Sequence, residues 1–299
     1  MRVVWLALLS LAAGCASAMS QVAADAQAPG LTMGEILEQA SDSDWRTIDQ
    51  DDLIYMELLG GRVLIELAPE YAPNHAANIR ALARAHYFDG ASIVRSQDNY
   101  VVQWGRDEGD DTSRGEAAAS LPGEYDRSAD GVSITRLQDP DSYAPVVGFS
   151  RGFPVAGDER LTWLAHCYGM VGAGRGDAAD SGSGAELYVV IGQSPRHLDR
   201  NVTLVGRVLE GMEVLSVMPR GTGPLGFYET PEERTTITRV RLGSELPESA
   251  RANLEALRTD TATFRALIES RRTRSEGWFL QPTGRINLCN VPLPIRAAE

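Results

Sequence analysis

The chain of 299 residues contains no lysine, so all 28 of its basic side chains are arginines. That excludes Schiff-base chemistry and the phosphate-binding lysine of a Walker loop. Cysteine is scarce, at three residues: Cys15, Cys167 and Cys289. Three are too few for a disulfide-stapled miniprotein, and none lie at redox or metal-ligand spacing. Positive charge is outnumbered, with 41 acidic residues and a net charge of -13. A chain so acidic lacks the basic footprint that a phosphate backbone requires, which argues against nucleic-acid binding. No HExxH motif occurs, so the four histidines (His75, His86, His166, His197) make no metallohydrolase signature. No internal repeat is visible, and no run after residue 20 is long and apolar enough to span a membrane. What is present is 43% apolar residues, ample for a buried core in one large domain or two ordinary ones.

The first residues, MRVVWLALLSLAAGCASAMS, combine a short positive start at Arg2, an apolar run over 3–13 and small residues after it. This pattern predicts an export signal. Two processing outcomes stay open. Ala12-Ala13-Gly14-Cys15 resembles a lipoprotein box, with Cys15 the candidate lipidation site and 1–14 removed. Ordinary cleavage after Ala16-Ser17-Ala18 removes 1–18 instead. Either places the mature protein in the bacterial periplasm, soluble or lipid-anchored. Cys167 and Cys289 are then free to pair in an oxidising compartment, although Cys167 also suits an apolar core.

Residues 19–50 read as a tether and a short helix, with Thr32 and Glu35 as a capping box. Leu53, Tyr55 and Glu57, then Val63, Ile65 and Leu67, alternate around Gly60-Gly61 as in a β-hairpin. Asn74 is a candidate cap for an Ala-rich helix through His86. Residues 92–104 are strand-like with a break at Gln97-Asp98-Asn99. Residues 106–160 carry no sustained periodicity and read as a functional or solvent-exposed insertion. Further strands are expected over 186–191, 202–208 and 235–242, with a short helix at 211–218. From 244 to 299 the chain reads as an extension, with a charged amphipathic helix over 247–271 and Trp278 and Phe279 as its apolar anchor. Short alternating strands, few helices and Gly-rich turns favour a barrel or mixed β fold over a parallel α/β sheet.

Four segments in order carry a family resemblance. They are VLIELAPEYAPNHAANIRALARAHYFDGASIVR (63–95), RSQDNYVVQWG (95–105), GSGAELYVVIG (182–192) and HLDRNVTLVGRVLEGMEVL (197–215). Together they resemble the cyclophilin-type peptidyl-prolyl isomerases, over about Ile54 to Leu242. The resemblance implies a mainly β fold. It would be a closed eight-stranded antiparallel barrel capped by two helices, over 51–243 here, with a long insertion. It also implies rotation of X-Pro bonds in exported proline-containing polypeptides, with no cofactor and no metal. By the family pattern Arg95 is the catalytic position. Tyr100, Val101 and Tyr188 are candidates to grip the proline ring, and Gln103 to hold Arg95 or a substrate carbonyl. Gly174 and Arg175 fall where the peptide backbone pairs. Glu186, His197, Leu198 and Val202 complete the groove.

The sequence departs from the pattern at several of these places. Val101 replaces a methionine, Tyr100 and Tyr188 replace phenylalanines and so bring hydroxyls that need partners, and Glu186 replaces a glutamine and is a candidate to pair with Arg95. Val94 and Val202 stand where the family favours larger polar or aromatic side chains. A competing expectation is therefore a cyclophilin-like module that binds peptides with weak catalysis or none.

Overall fold

The computed structural model describes residues 30–298, so the export signal and Cys15 lie outside the described residues. The elements in chain order are α1 (Met33–Glu38), β1 (Trp45–Thr47), β2 (Leu53–Leu58), β3 (Gly61–Leu67), α2 (Pro73–Arg84), β4 (Ser92–Ser96) and β5 (Val101–Gly105). Then come β6 (Arg127–Ser128), β7 (Thr135–Arg136), β8 (Val146–Ser150), β9 (Phe153–Gly157) and β10 (Leu161–Leu164). The chain continues through β11 (Met170–Ala173), β12 (Leu187–Val190), β13 (Leu204–Glu210), α3 (Met212–Ser216) and β14 (Thr235–Leu242). It finishes with β15 (Leu254–Leu257), α4 (Ala262–Thr273) and β16 (Ile295–Ala297).

Eight strands close a barrel in the order β11-β12-β5-β4-β14-β2-β3-β13, antiparallel throughout. Alternation fills its interior: Ile54, Met56 and Leu58 from β2 meet Val63, Ile65 and Leu67 from β3, with Trp104 from β5. The void at its centre is only about 10 Å³, too small for a ligand, so binding must use an outer face. Helix α2 packs Ala76, Ile79 and Leu82 onto this core, and α3 adds Leu215. The hairpin expected around Gly60-Gly61 is present, with Leu59 and Gly60 as its two-residue loop and Gly61 opening β3. The Thr32–Glu35 capping box is formed as well.

Three local expectations are corrected. Asn74 does not cap α2: Pro73 occupies the first helical position, where its missing N–H costs nothing. The capping acceptor comes from far along the chain, since Glu124 accepts the backbone N–H groups of Asn74 and His75 at 2.9 Å each. A carboxylate there suits the partial positive charge of the helix start. The insertion is not irregular throughout. Residues 127–164 supply a five-stranded antiparallel sheet, β6-β10-β9-β8-β7, whose strands are too short for periodicity to reveal. The extension is not one long helix either. Residues 254–257 form a strand between β1 and β16, and α4 begins only at Ala262, capped by Thr261.

The insertion sheet and the two chain ends share a second core. Ile36 and Trp45 pack with Phe149, Val155 and Trp163 and with Phe264, Leu267 and Leu288. A Cys167–Cys289 disulfide joins the barrel side to the extension across 122 residues of chain. Trp278 does not anchor the extension: it is 82% exposed.

Candidate active site

The site is built on the outer face of β4, β5 and β12. In β5, Val102 and Trp104 point into the barrel, so Val101 and Gln103 point out. In β12, Leu187 and Val189 point in, so Tyr188 and Val190 point out. The register sets Tyr188 opposite Gln103 and Val190 opposite Val101. On β4 the pairing shifts between Ile93 and Arg95, so that Ile93 faces Trp104 while Arg95 faces Gln103. This bulge, with Val94 as the extra residue, turns Arg95 onto the outer face beside Gln103.

Arg95 is held at each of its three nitrogens. Nε donates to the Leu225 carbonyl at 2.7 Å, Nη1 donates to Gln103 Oε1 at 3.3 Å, and Nη2 donates to Gln97 Oε1. Its guanidinium carbon also lies over the rings of Tyr100, at 5.5 Å, and Phe227, at 5.3 Å. Among the described residues no carboxylate lies within 4.0 Å of it. Burial lowers its proton affinity, but an arginine stays cationic at neutral pH. A half-buried cation without a counter-charge keeps its field for an incoming group.

Glu186 does not pair with Arg95. Its Oε2 accepts from Gln103 Nε2 at 2.8 Å. A carboxylate accepts only, so it fixes which way the Gln103 amide faces and turns Oε1 toward Arg95. Glu186 thus orients Arg95 through Gln103.

Beside Arg95, Val101, Tyr188 and Val190 form a small apolar cluster separate from the barrel core, flanked by Tyr100 and Val202. Four of the residues expected to grip a proline ring or line the groove therefore meet here. Tyr188 fits because β11 offers Gly172 opposite it: a Cβ there would lie 2.4 Å from the Tyr188 ring. The Tyr188 hydroxyl is buried and donates to His166 Nε2 at 2.8 Å. On the other side of the imidazole, Nδ1 and the His166 backbone N–H both donate to Asp199 Oδ1, at 3.0 and 2.9 Å. Arg196 Nε donates to Asp199 Oδ2 at 2.6 Å, and its Nη1 and Nη2 donate to Asp141 at 3.1 and 3.3 Å. A buried polar chain thus runs from the groove wall to the insertion. Burial lowers the His166 proton affinity, consistent with a neutral ring that donates at Nδ1 and accepts at Nε2. For Asp199, burial is outweighed by the His166 and Arg196 contacts, which hold its carboxyl below the usual range. Burial pushes the Tyr188 hydroxyl up. The Tyr188–His166–Asp199 arrangement is that of a charge relay, but its hydroxyl is sealed from solvent and holds a wall in place.

The remaining expected residues sit at the rim. His197 is exposed and Leu198 half-buried, on the turn that Arg196 and Asp199 hold. The Gly174 N–H already donates to the Glu186 carbonyl at 2.9 Å, extending β11 along β12. Arg175 is exposed and folds back onto the carbonyls of Asn201 and Gly176. Nothing in the sequence marked Gln97, Leu225 and Phe227 as Arg95 partners, or the chain through His166 and Asp141. The segment carrying Leu225 and Phe227 reaches Arg95 because Gly226, at φ +79°, packs its Cα against Gln97, where a Cβ would come within 2.7 Å of the Gln97 backbone. A Gly-Pro-Leu-Gly run marks a turn, but nothing in it names its neighbour.

The family model for the cyclophilin type peptidyl-prolyl cis-trans isomerase/CLD matches residues 53–242. The chain belongs to the cyclophilin family. Curated relatives include a probable peptidyl-prolyl cis-trans isomerase of Brucella suis biovar 1 and another of Brucella melitensis biotype 1. Each is 29% identical over 107 residues, which cover 31% of this chain and 55% of the relative. The chain therefore spans about half the length of these relatives. Among solved structures, cyclophilin AquaCyp293 from Hirschia baltica superposes with a TM-score of 0.67 at 24% identity, covering 90% of this chain and 99% of that one. That coverage reaches beyond the barrel strands, so the likeness in fold extends to parts of the insertion and chain ends.

Within the cyclophilin barrel the departures from the family pattern acquire physical reasons. The extra hydroxyl of Tyr188 is met by His166, and the half-buried Tyr100 places its ring against Arg95. Among the described residues no group of three or more His, Cys, Asp or Glu side chains is arranged to hold a metal ion.

Proposed function

We propose that this cyclophilin catalyses cis/trans rotation of X-Pro peptide bonds in polypeptides of the bacterial cell envelope, assisting their folding. The observation that carries the reading is Arg95, a half-buried cation without a carboxylate partner, held by Gln103 and Gln97 beside the Val101–Tyr188–Val190 apolar cluster. Rotation must break amide resonance, a barrier of about 18–20 kcal/mol. In the twisted state the prolyl nitrogen becomes pyramidal and gains lone-pair character. The apolar cluster grips the proline ring, and an Arg95 N–H faces that nitrogen. The donor binds the twisted state better than either planar state, which is what lowers a barrier. No bond is broken and no proton moves, so no general base is required. The disulfide supports an oxidising compartment, in keeping with the export signal read over residues 1–18.

A second reading, a weakly catalytic peptide-binding module, is favoured by the Leu225 carbonyl and the Phe227 ring, which already engage Arg95. One assay separates the two. Purified mature protein and Arg95→Ala are compared for acceleration of cis-to-trans exchange in short X-Pro peptides. Catalysis that collapses in the variant supports the isomerase. Peptide binding by both without acceleration supports the module.

A further inference from the structure

The second core leaves one part of the extension outside it. After α4 the chain turns at Arg274 and projects Trp278, 82% exposed, and Leu280, 92% exposed. Phe279 lies between them, its ring 4.9 Å from the Trp278 ring and beneath the Arg274 guanidinium at 5.0 Å. In a chain of net charge -13, residues 269–285 are basic, with four arginines against two glutamates. The described chain also starts at this place. The Gly30 N–H donates to Ser275 Oγ at 3.0 Å, and the Ser270 hydroxyl donates to the Leu31 carbonyl at 2.8 Å. Residues 1–29, with the apolar signal and Cys15, therefore continue from a point three residues away in sequence from the projecting Trp278.

We propose that Trp278 and Leu280 dip into the surface of an anionic lipid bilayer, with the surrounding arginines against its headgroups, so that the protein works docked on the membrane from which its N-terminal segment leads. An indole suits this because it is apolar in body and carries one polar N–H, and arginine binds phosphate with a planar fork. A bilayer surface is favoured over a protein partner by three observations together: the tip projects singly and not as a groove; Arg274 and Arg285 in its segment have no carboxylate partner among the described residues, whereas Arg271 and Arg272 pair with Glu276 and Glu269; and Gly30 is held at Ser275, three residues before Trp278. The exposed Glu35 and Glu38 on α1, which packs on α4, confine the attraction to this corner. The proposal rests on the export reading for its setting, and its test does not.

The test uses the unlipidated chain beginning at Met19. The other described tryptophans, Trp45, Trp104 and Trp163, are 8%, 1% and 6% exposed, so a change in emission on adding vesicles reports Trp278. With vesicles of phosphatidylglycerol and phosphatidylethanolamine, the emission should shift to the blue and be quenched by brominated acyl chains, and the protein should co-sediment. Phosphatidylcholine vesicles and high salt should weaken binding. Trp278→Ser with Leu280→Ser should lower the partition coefficient by roughly tenfold or more, as expected for two large apolar side chains. Arg274→Gln with Arg285→Gln should remove the preference for anionic lipid, because Arg271 and Arg272 are already paired with Glu276 and Glu269. Isomerisation of a soluble peptide should be unchanged in every variant, which checks the fold. No emission shift or co-sedimentation with either vesicle overturns the proposal. So does full binding by the Trp278/Leu280 variant, or self-association through Trp278 without lipid binding. Export is tested separately, by the mass of the mature N-terminus, so each reading can fail without the other.

Discussion

The buried chain behind the groove can be dissected by a double-mutant cycle on His166 and Tyr188. His166→Phe keeps an aromatic ring but leaves the Tyr188 hydroxyl buried without an acceptor, about 1–3 kcal/mol. It also removes the Nδ1 bond to the Asp199 carboxylate, about 1.5–3 kcal/mol for a bond to a charged group. Tyr188→Phe removes one neutral bond and leaves His166 Nε2 buried without a donor, about 1–3 kcal/mol. In the double variant no hydroxyl is orphaned, and Asp199 retains Arg196 and the His166 backbone N–H. The double loss should therefore be at least about 2 kcal/mol smaller than the sum of the single losses, measured by urea unfolding at neutral pH. Peptide isomerisation should follow the wall: Tyr188→Phe keeps the ring and most of the activity, whereas His166→Phe loses more than its stability change accounts for. Losses additive within about 0.5 kcal/mol would refute the coupling and make His166 an ordinary core residue.

Other outcomes follow from the same geometry. Arg95→Ala should lower kcat/KM by roughly 100- to 1000-fold with little change in unfolding free energy, and Arg95→Lys should not restore it, because an ammonium cannot donate to Gln103, Gln97 and Leu225 together. Glu186→Gln frees the Gln103 amide to face either way, so kcat/KM should fall by roughly threefold to tenfold, a change on the order of 1 kcal/mol, while Glu186→Ala adds no stability penalty because the residue is exposed. Acid should destabilise the protein through His166 before Asp199 titrates. His166 is held neutral below its ordinary 6.5, so its contribution is complete above that pH and is lost as pH falls, at no more than about 1.4 kcal/mol per unit. Asp199 adds a second loss only below its ordinary 3.8, and the first loss should vanish in His166→Phe when unfolding is followed against pH. Removing the disulfide as Cys167→Ser with Cys289→Ser frees 122 residues of loop, worth up to about 5 kcal/mol in chain entropy, and should lower Tm in non-reducing buffer while leaving activity at low temperature.

The groove was legible where it follows alternation. Val101, Gln103 and Tyr188 alternate along their strands with Val102, Trp104 and Val189, so one face of each strand had to leave the barrel core. The insertion was not legible, because strands such as Arg127–Ser128 and Thr135–Arg136 are two residues long and gain their ladder only from partners supplied by tertiary folding. The C-terminal helix was misplaced for a related reason: Leu254–Leu257 has helical composition but completes a sheet between β1 and β16, and pairing overrides propensity.

The sequence by itself determined seven of the eight barrel strands, all but β11, together with the outward row of groove residues and the presence of an arginine at its head. These depend on local period and on motif order, both written along the chain. Only the tertiary structure decided that Glu186 acts through Gln103, that His166 and Asp199 hold Tyr188, that Leu225 reaches Arg95, and that Gly30 meets Ser275. Each of these joins residues 22 to 245 positions apart or turns on which of two nearby acceptors a side chain takes. Distance along the chain carries no record of such meetings. Packing and the need to satisfy every buried polar group create them.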